Sequence, residues 1–413
     1  MLRSLYLSTA KLLEEKFLQR REFVKTIGAT AALIAVGDGA WYAFADGQLH
    51  AYEGGPYSAW SNWNANPEPK PLNLVRAALL AASPHNTQPW RFRVGDSFIE
   101  LYLETSRSVR GLDPYLREAH IGMGCALENL MLAAMANGYA TKVNIVEGEL
   151  SANPQHSTLQ LITRIDLAAG SRQQNELYSA IPDRHTNRSP YDPTRSLPSH
   201  FAEELIEVCR LDDDVRMFLF EMSTQREQLV SISAAANFEL YADPTVESGS
   251  EEWIRWRSKD VQKFEDGLTI ECFGLSPLAT VMAELAPVAM LKRVASTEQH
   301  RSMYAKQMQS ANLIGILAVR DRLSKRQSLL AGRVWQRAHL LATARSLGAR
   351  PCNEAVEMVD HERFLGHAPQ RQSQLSMVIG DPLWQPTFLF LMGFPTQKAN
   401  PSPRRPADRT QIA

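Results

Sequence analysis

Two prolines bracket a short polar run, Ser83-Pro84-His85-Asn86-Thr87-Gln88-Pro89, and no other stretch restricts the chain as much. Each proline fixes its own φ and pushes the residue before it out of the helical region. The apolar helical run from Leu72 to Ala82 must therefore end here. Beyond Trp90, two strands are predicted, Arg91 to Val94 and Ser97 to Glu104, joined at a Gly95-Asp96 turn. In the second, Ile99, Leu101 and Leu103 alternate with Glu100, Tyr102 and Glu104, so one face is buried. Between helix and hairpin the loop offers an imidazole, hydroxyls and two amides. Uncharged donors and acceptors on a stiff backbone suit a planar ligand with several heteroatoms. A loop that merely caps a helix accounts for the same residues.

Helix and strand signals then alternate. A largely buried helix is predicted from Glu118 to Asn137, with Gly138 as its stop and Gly122 and Gly124 as points of close helix packing. A dinucleotide-binding reading of these glycines fails, because a third glycine and a preceding strand are missing. Strands follow at Lys142 to Val146 and Thr158 to Ile165, then a helix at Ser199 to Cys209 and a strand at Val215 to Met222. Thr224-x-x-Glu227 reads as a capping box. Asn312 to Val319 reads as a buried strand, Ser328 to Leu347 as a long helix ended by Gly348, and Pro386 to Gly393 as a last strand. The proline- and aromatic-rich stretch at 46–71 argues against regular structure, while its aromatics argue for packing on a surface.

A second constellation is Arg184-His185-Thr186-Asn187-Arg188. Guanidinium forks match phosphate oxygens, and Thr186 adds a neutral donor. A solvated loop before the next helix is the plain alternative. Composition excludes some functions. With 44 basic and 45 acidic residues the net charge is −1, and no basic stripe points to nucleic acid. The four cysteines stand apart, so a zinc site has no ligand set.

Several of these stretches resemble the FMN-dependent nitroreductase superfamily. Ser83-Pro84-His85-Asn86-Thr87-Gln88-Pro89-Trp90-Arg91-Phe92 is similar to its flavin-ring loop, with one proline displaced. Arg184, His185, Thr186 and Arg188 match the element that holds the FMN phosphate and ribityl chain. Gly332 to Ala338 resembles the helix backing the flavin, and Met392-Gly393-Phe394-Pro395 the closing Gly-(Tyr/Phe)-Pro. In the tail, Pro403-Arg404-Arg405-Pro406 resembles a terminal basic element that reaches phosphate. The turn Pro351-Cys352-Asn353-Glu354 departs from the family's Pro-Glu-Gly.

The resemblance implies an α+β, nitroreductase-like fold of two fused halves, a pseudo-dimer with mixed β-sheets flanked by helices and a helical lid insertion at about 245–300. The first half spans 72–170 and the second 171–413. This is the arrangement of the Acg-type branch. It implies one FMN per monomeric chain, bound by Ser83, Asn86, Gln88, Arg184, His185, Thr186, Arg188, Arg404 and Arg405. The implied activity is reduction of a nitro-aromatic, quinone or similar small electron acceptor, with NAD(P)H as donor. A flavin-sequestering protein, or a destructase, thiazoline oxidase or dehalogenase on the same fold, stays open. At the amino end, Arg20-Arg21-Glu22-Phe23-Val24-Lys25 precedes a mild apolar run and resembles a twin-arginine export signal. Ala43-Phe44-Ala45 is a cleavage candidate, so residues 1–45 are expected to engage the Tat translocase and lead to the periplasm.

Overall fold

Alternation builds the first sheet and its absence builds the second. The computed structural model describes residues 54–64, 70–152, 158–275, 279–280, 282–283, 286–295 and 298–412. The expected export signal lies outside them. Strands β1 (Trp90–Val94), β2 (Phe98–Glu104), β3 (Tyr139–Ile145) and β4 (Leu159–Ala169) pair in the order β1-β2-β4-β3, antiparallel throughout. Ile99, Leu101, Leu103 and Ile165 face the core. The other face carries an ion-pair ladder, with Glu100 taking Arg93 at 3.2 Å and Arg164 at 3.0 Å.

Strands β5 (Val215–Phe220), β8 (Leu313–Val319), β9 (Gly348–Pro351) and β10 (Gln385–Gly393) form the second sheet, in the order β5-β8-β10-β9 and again antiparallel. Strand β8 is buried at every residue because this sheet is covered on both faces. Strands β6 (Ile254–Arg255) and β7 (Leu268–Thr269) pair in parallel.

The two sheets share one plan. Counted within its own sheet, each has the strand order first, second, fourth, third. Each places a 20-residue helix between its second and third strands, α1 (Arg117–Ala136) and α2 (Lys325–Ala344). These helices pack on each other with matching residues. The eighth residue of each is glycine, Gly124 and Gly332. A Cβ on Gly124 would overlap the Leu329 carbonyl oxygen, and one on Gly332 the Ile121 carbonyl oxygen, each at the fifth residue of the facing helix. The expected close approach at Gly124 is thus real and has a twin. Among the described residues α1 is the one helix long and apolar enough to cross a membrane, and most of it is buried in this core.

Some boundaries differ from expectation. Ser223, not Thr224, caps its helix, its hydroxyl accepting the Arg226 N–H at 3.2 Å. Helix α2 starts at Lys325 behind the Ser324 cap and ends at Ala344; Ser346 takes the left-handed turn (φ 58°), and Gly348 already belongs to β9. The stretch expected to be irregular contains a short helix, α3 (Ser58–Asn62).

At the start of α1, charge is buried. Arg117 ion-pairs with Asp360 at 2.6 Å and lies 3.4 Å from Glu118, while Arg322 takes the other Asp360 oxygen at 2.7 Å. Glu118 and Glu357 hydrogen-bond each other, which two carboxyls do by sharing a proton. Burial pushes Glu118 up to about 7 and Glu357 well above its ordinary value. Both are raised above the 4.5 of a free glutamate, so their stabilisation is full below that pH and is lost as pH rises through about 7. Above pH 6.5, where the imidazoles held neutral in the fold no longer oppose it, melting temperature is expected to fall toward about pH 9, and Glu357→Gln to flatten that slope. An unchanged slope in the variant rules the pair out. For Asp360 burial raises the carboxyl but Arg117 and Arg322 outweigh it, so its contribution has the opposite sign and is lost only in acid.

Candidate anion and cofactor site

The polar loop is strained. Pro84–Asn86 forms a single 3-10 turn, and His85 (φ 45°), Asn86 (φ 55°) and Gln88 (φ 49°) are all left-handed without being glycine. Each such residue costs on the order of 1–3 kcal/mol unless its surroundings impose it. Here the amides impose it. Asn86 Nδ2 donates to the Gly267 and Pro403 carbonyls, both at 3.0 Å, and its Oδ1 accepts Arg404 Nη1 at 2.7 Å. Gln88 Nε2 donates to the Glu265 carbonyl at 2.9 Å, and its Oε1 accepts the Arg405 N–H at 2.9 Å. Loop, insertion and tail are therefore one bonded unit.

A narrow cavity of about 30 Å³ opens beside the loop. Six of the nine expected residues line it: Ser83, Asn86, Arg184, Thr186, Arg188 and Arg404. The other three lie one layer out. Gln88 is fully buried with its amide engaged as above. Arg405 donates to the Gln88 carbonyl at 3.2 Å and stands 3.9 Å from Glu104. His185 packs edge-on against Trp60, with ring centroids 4.4 Å apart. Ala82 from the loop, Leu268 and Cys272 from the insertion, and Asn400 and Ser402 from the tail complete the wall, and none was expected as a site residue.

The Arg184 to Arg188 segment is aimed by β9, since Thr186 bridges Ala349 and the Asn187 N–H donates to the Ala349 carbonyl at 3.0 Å. Three guanidiniums converge. Arg184 donates to the Leu80 carbonyl at 3.0 Å, Arg188 to the Cys272 carbonyl at 3.2 Å, and Arg404 to the Ala81 carbonyl at 3.3 Å. Among the described residues no carboxylate ion-pairs with any of them, and the Nε atoms of Arg184 and Arg404 are buried without a partner. Burial draws Arg184 and Arg188 down to about 10. Burial, then the Arg184 charge, draws Arg404 well below its ordinary value. Burial likewise holds His185 at about 3 and His85 at about 4, each helped by a nearby arginine, so both imidazoles are neutral at pH 7. His85 meets Ser250 Oγ at 2.7 Å and holds the insertion.

Buried cations without counter-charge are costly, and a bound anion removes that cost. With the hydroxyls of Ser83, Thr186 and Ser402 alongside, the donor set fits a phosphate and a polyol. The amides expected at a flavin ring are already engaged by protein.

A wider open hollow of about 470 Å³ lies at Arg210, Leu211, Asp212, Asp213 and Asp214, ahead of β5. By its place before the first strand of its sheet it is the counterpart of the Ala82 to Pro89 loop. It has carboxylates where that loop has amides, and Arg326 ties Asp212 at 2.6 Å and Asp214 at 2.7 Å.

No protein-family model matches the chain. A provisionally named NAD(P)H nitroreductase of Mycobacterium tuberculosis is 32% identical over 118 residues, 29% of this chain and 33% of that protein. An uncharacterized protein of the same organism is 29% identical over 187 residues, 44% of this chain and 52% of its own length. The provisionally named nitroreductase acg, also of that organism, is 27% identical over 177 residues, 41% of this chain and 52% of its own. The aligned parts thus span from a third to about half of these curated relatives. Solved structures similar in fold include the FMN-dependent nitroreductase NfnB from Mycobacterium smegmatis in complex with NADPH, at TM-score 0.36 and 11% identity, covering 58% of this chain and 97% of that one. Another, a provisionally assigned nitroreductase from Anabaena variabilis, has TM-score 0.40 and 12% identity, covering 72% and 69%.

Proposed function

We propose that the chain is an FMN-binding oxidoreductase of nitroreductase type, with one flavin site assembled across two fused halves. The observation that carries this is the set of three carboxylate-free guanidiniums, converging from the start and end of the second half onto a strained loop of the first. Arg184, Arg188 and Arg404 neutralise the phosphate. Ser83, Thr186 and Ser402 orient the polyol, and Leu268 and Cys272 exclude water. When bound, FMN supplies two-electron transfer to an electron-poor acceptor such as a nitro-aromatic or a quinone. The sequence relatives support the nitroreductase assignment, and the shared strand order and paired glycines support the fusion.

Equilibrium dialysis is expected to find one FMN per monomeric chain, with riboflavin held far more weakly. Two FMN per chain, or none, would defeat the reading. The bonding of loop, insertion and tail into one unit favours one alternative, a flavin-sequestering protein. Adding NADPH without oxygen separates the two: bleaching followed by reoxidation with a quinone marks the reductase, and flavin that stays oxidised marks the store.

We further propose that residues 1–45 direct Tat export of the folded chain to the periplasm. A Lys substitution at both Arg20 and Arg21 is expected to leave the full-length chain in the cytoplasm on cell fractionation. Unchanged export of that variant refutes the signal.

A further inference from the structure

The site has a wall that its motifs do not announce. Trp60, on α3, stands far in sequence from every motif of the site, yet its indole lies against two of the three guanidiniums. The ring centroid is 4.6 Å from the Arg404 guanidinium carbon and 5.9 Å from that of Arg184. Its Nε1 donates to the Ser402 carbonyl at 2.8 Å, and the Arg404 N–H donates to the Pro56 carbonyl at 2.7 Å. The helix is thus tied to the tail at two points. Trp63 anchors it from the other side, buried against Tyr178 with centroids 5.0 Å apart.

We infer that Trp60 is a positioning residue of the anion site: its π face holds Arg184 and Arg404 together, with their free N–H groups converged, before any ligand arrives. The inference rests on the phosphate-binding reading of the cavity. Two buried like charges repel, and an unliganded site offers them no carboxylate. Among the described residues the Trp60 indole is the one ring lying over both, and its negative face offsets part of the repulsion at no cost in mobile charge. Take the ring away and the two forks are free to splay toward water, so a phosphate must first gather them again. Trp60 does not line the cavity, so it acts through the arginines rather than on the ligand.

The test compares FMN and riboflavin binding by equilibrium dialysis in the full chain. Trp60→Ala is expected to weaken FMN about tenfold, from the loss of two partly desolvated cation–π contacts, and to leave riboflavin unchanged. Trp60→Phe, which keeps a π face and loses the N–H donor, is expected to stay within about threefold of wild type. Site-specific replacement of Trp60 by progressively fluorinated tryptophans keeps the shape and drains the π face. FMN affinity should fall stepwise along that series, which a packing role does not produce. FMN binding equal to wild type in Trp60→Ala, or a flat fluorination series, overturns the inference while leaving the phosphate reading intact. No FMN binding by the wild-type chain removes the phosphate reading itself, and this inference with it.

Discussion

Asp360→Ala is expected to lower the unfolding free energy by about 3–5 kcal/mol, the range for breaking a buried ion pair by removing one partner. Asp360 serves two guanidiniums at once, Arg117 on one oxygen and Arg322 on the other, and all three side chains are at most 3% exposed. The arginines keep some partners: Arg322 donates to the Val356 carbonyl at 2.9 Å, and Arg117 to the Thr387 carbonyl. Carbonyls do not neutralise charge, so a net positive charge is left in the core. The nearest remedy is the shared proton of Glu118 and Glu357. Its release supplies the missing negative charge, so the variant should also lose much of the wild-type fall in melting temperature toward alkaline pH. Glu207→Ala is the control. Its pair with Arg210 is 3.6 Å long with both side chains mostly exposed, and breaking it should cost no more than about 1 kcal/mol. Chemical denaturation of the three proteins decides the matter; equal losses in both variants would mean that the buried cluster is no more than a surface bridge.

Much of the scaffold was legible because it rests on periodicity. The alternation of Ile99, Leu101 and Leu103 placed β2, and the unbroken apolar run placed β8. The helix predicted at Glu118 to Asn137 differs from α1 by one residue at each end. The helices Glu354–Phe364 and Gln370–Ile379 escaped, since Glu357, Asp360, Glu362 and Arg371 are buried there and break the amphipathic pattern. Asp360 pairs with Arg117 and Arg322, Arg371 with Glu239, and Glu357 meets Glu118, partners that no local window contains. The site divides in the same way. Its polar loop and arginine segment announced their chemistry by composition. What Asn86 does with its amide did not show, because its partners lie 181 and 317 residues away. Cys272 reaches the cavity only through the insertion, and Trp60 reaches the arginines only from α3, so nothing near them in sequence marks them.

Replacing both Arg184 and Arg188 with methionine is expected to move binding and stability in opposite directions. Each guanidinium would give phosphate charge-assisted hydrogen bonds of about 1.5–3 kcal/mol. Together they amount to about 3–6 kcal/mol, which at about 1.4 kcal/mol per tenfold lowers FMN affinity by roughly 10²- to 10⁴-fold. In the unliganded chain the same two groups are a burden. Arg184 is buried and repels the buried Arg404, Arg188 is repelled by Arg350, and neither ion-pairs with a carboxylate among the described residues. Apolar side chains of similar length remove that repulsion, and exchanging buried charge for packed apolar volume is neutral or stabilising by about 1–4 kcal/mol. Part of the gain is returned, because the Leu80 and Cys272 carbonyls lose their donors. The variant without ligand should therefore melt no lower than wild type. Asp360 and Arg184 then stand as opposites: each is a buried charge, but one is matched within the fold and the other waits for a ligand. If the methionine variant binds FMN as before, or its unliganded form loses several kcal/mol, the arginines are structural and the site is not an anion site.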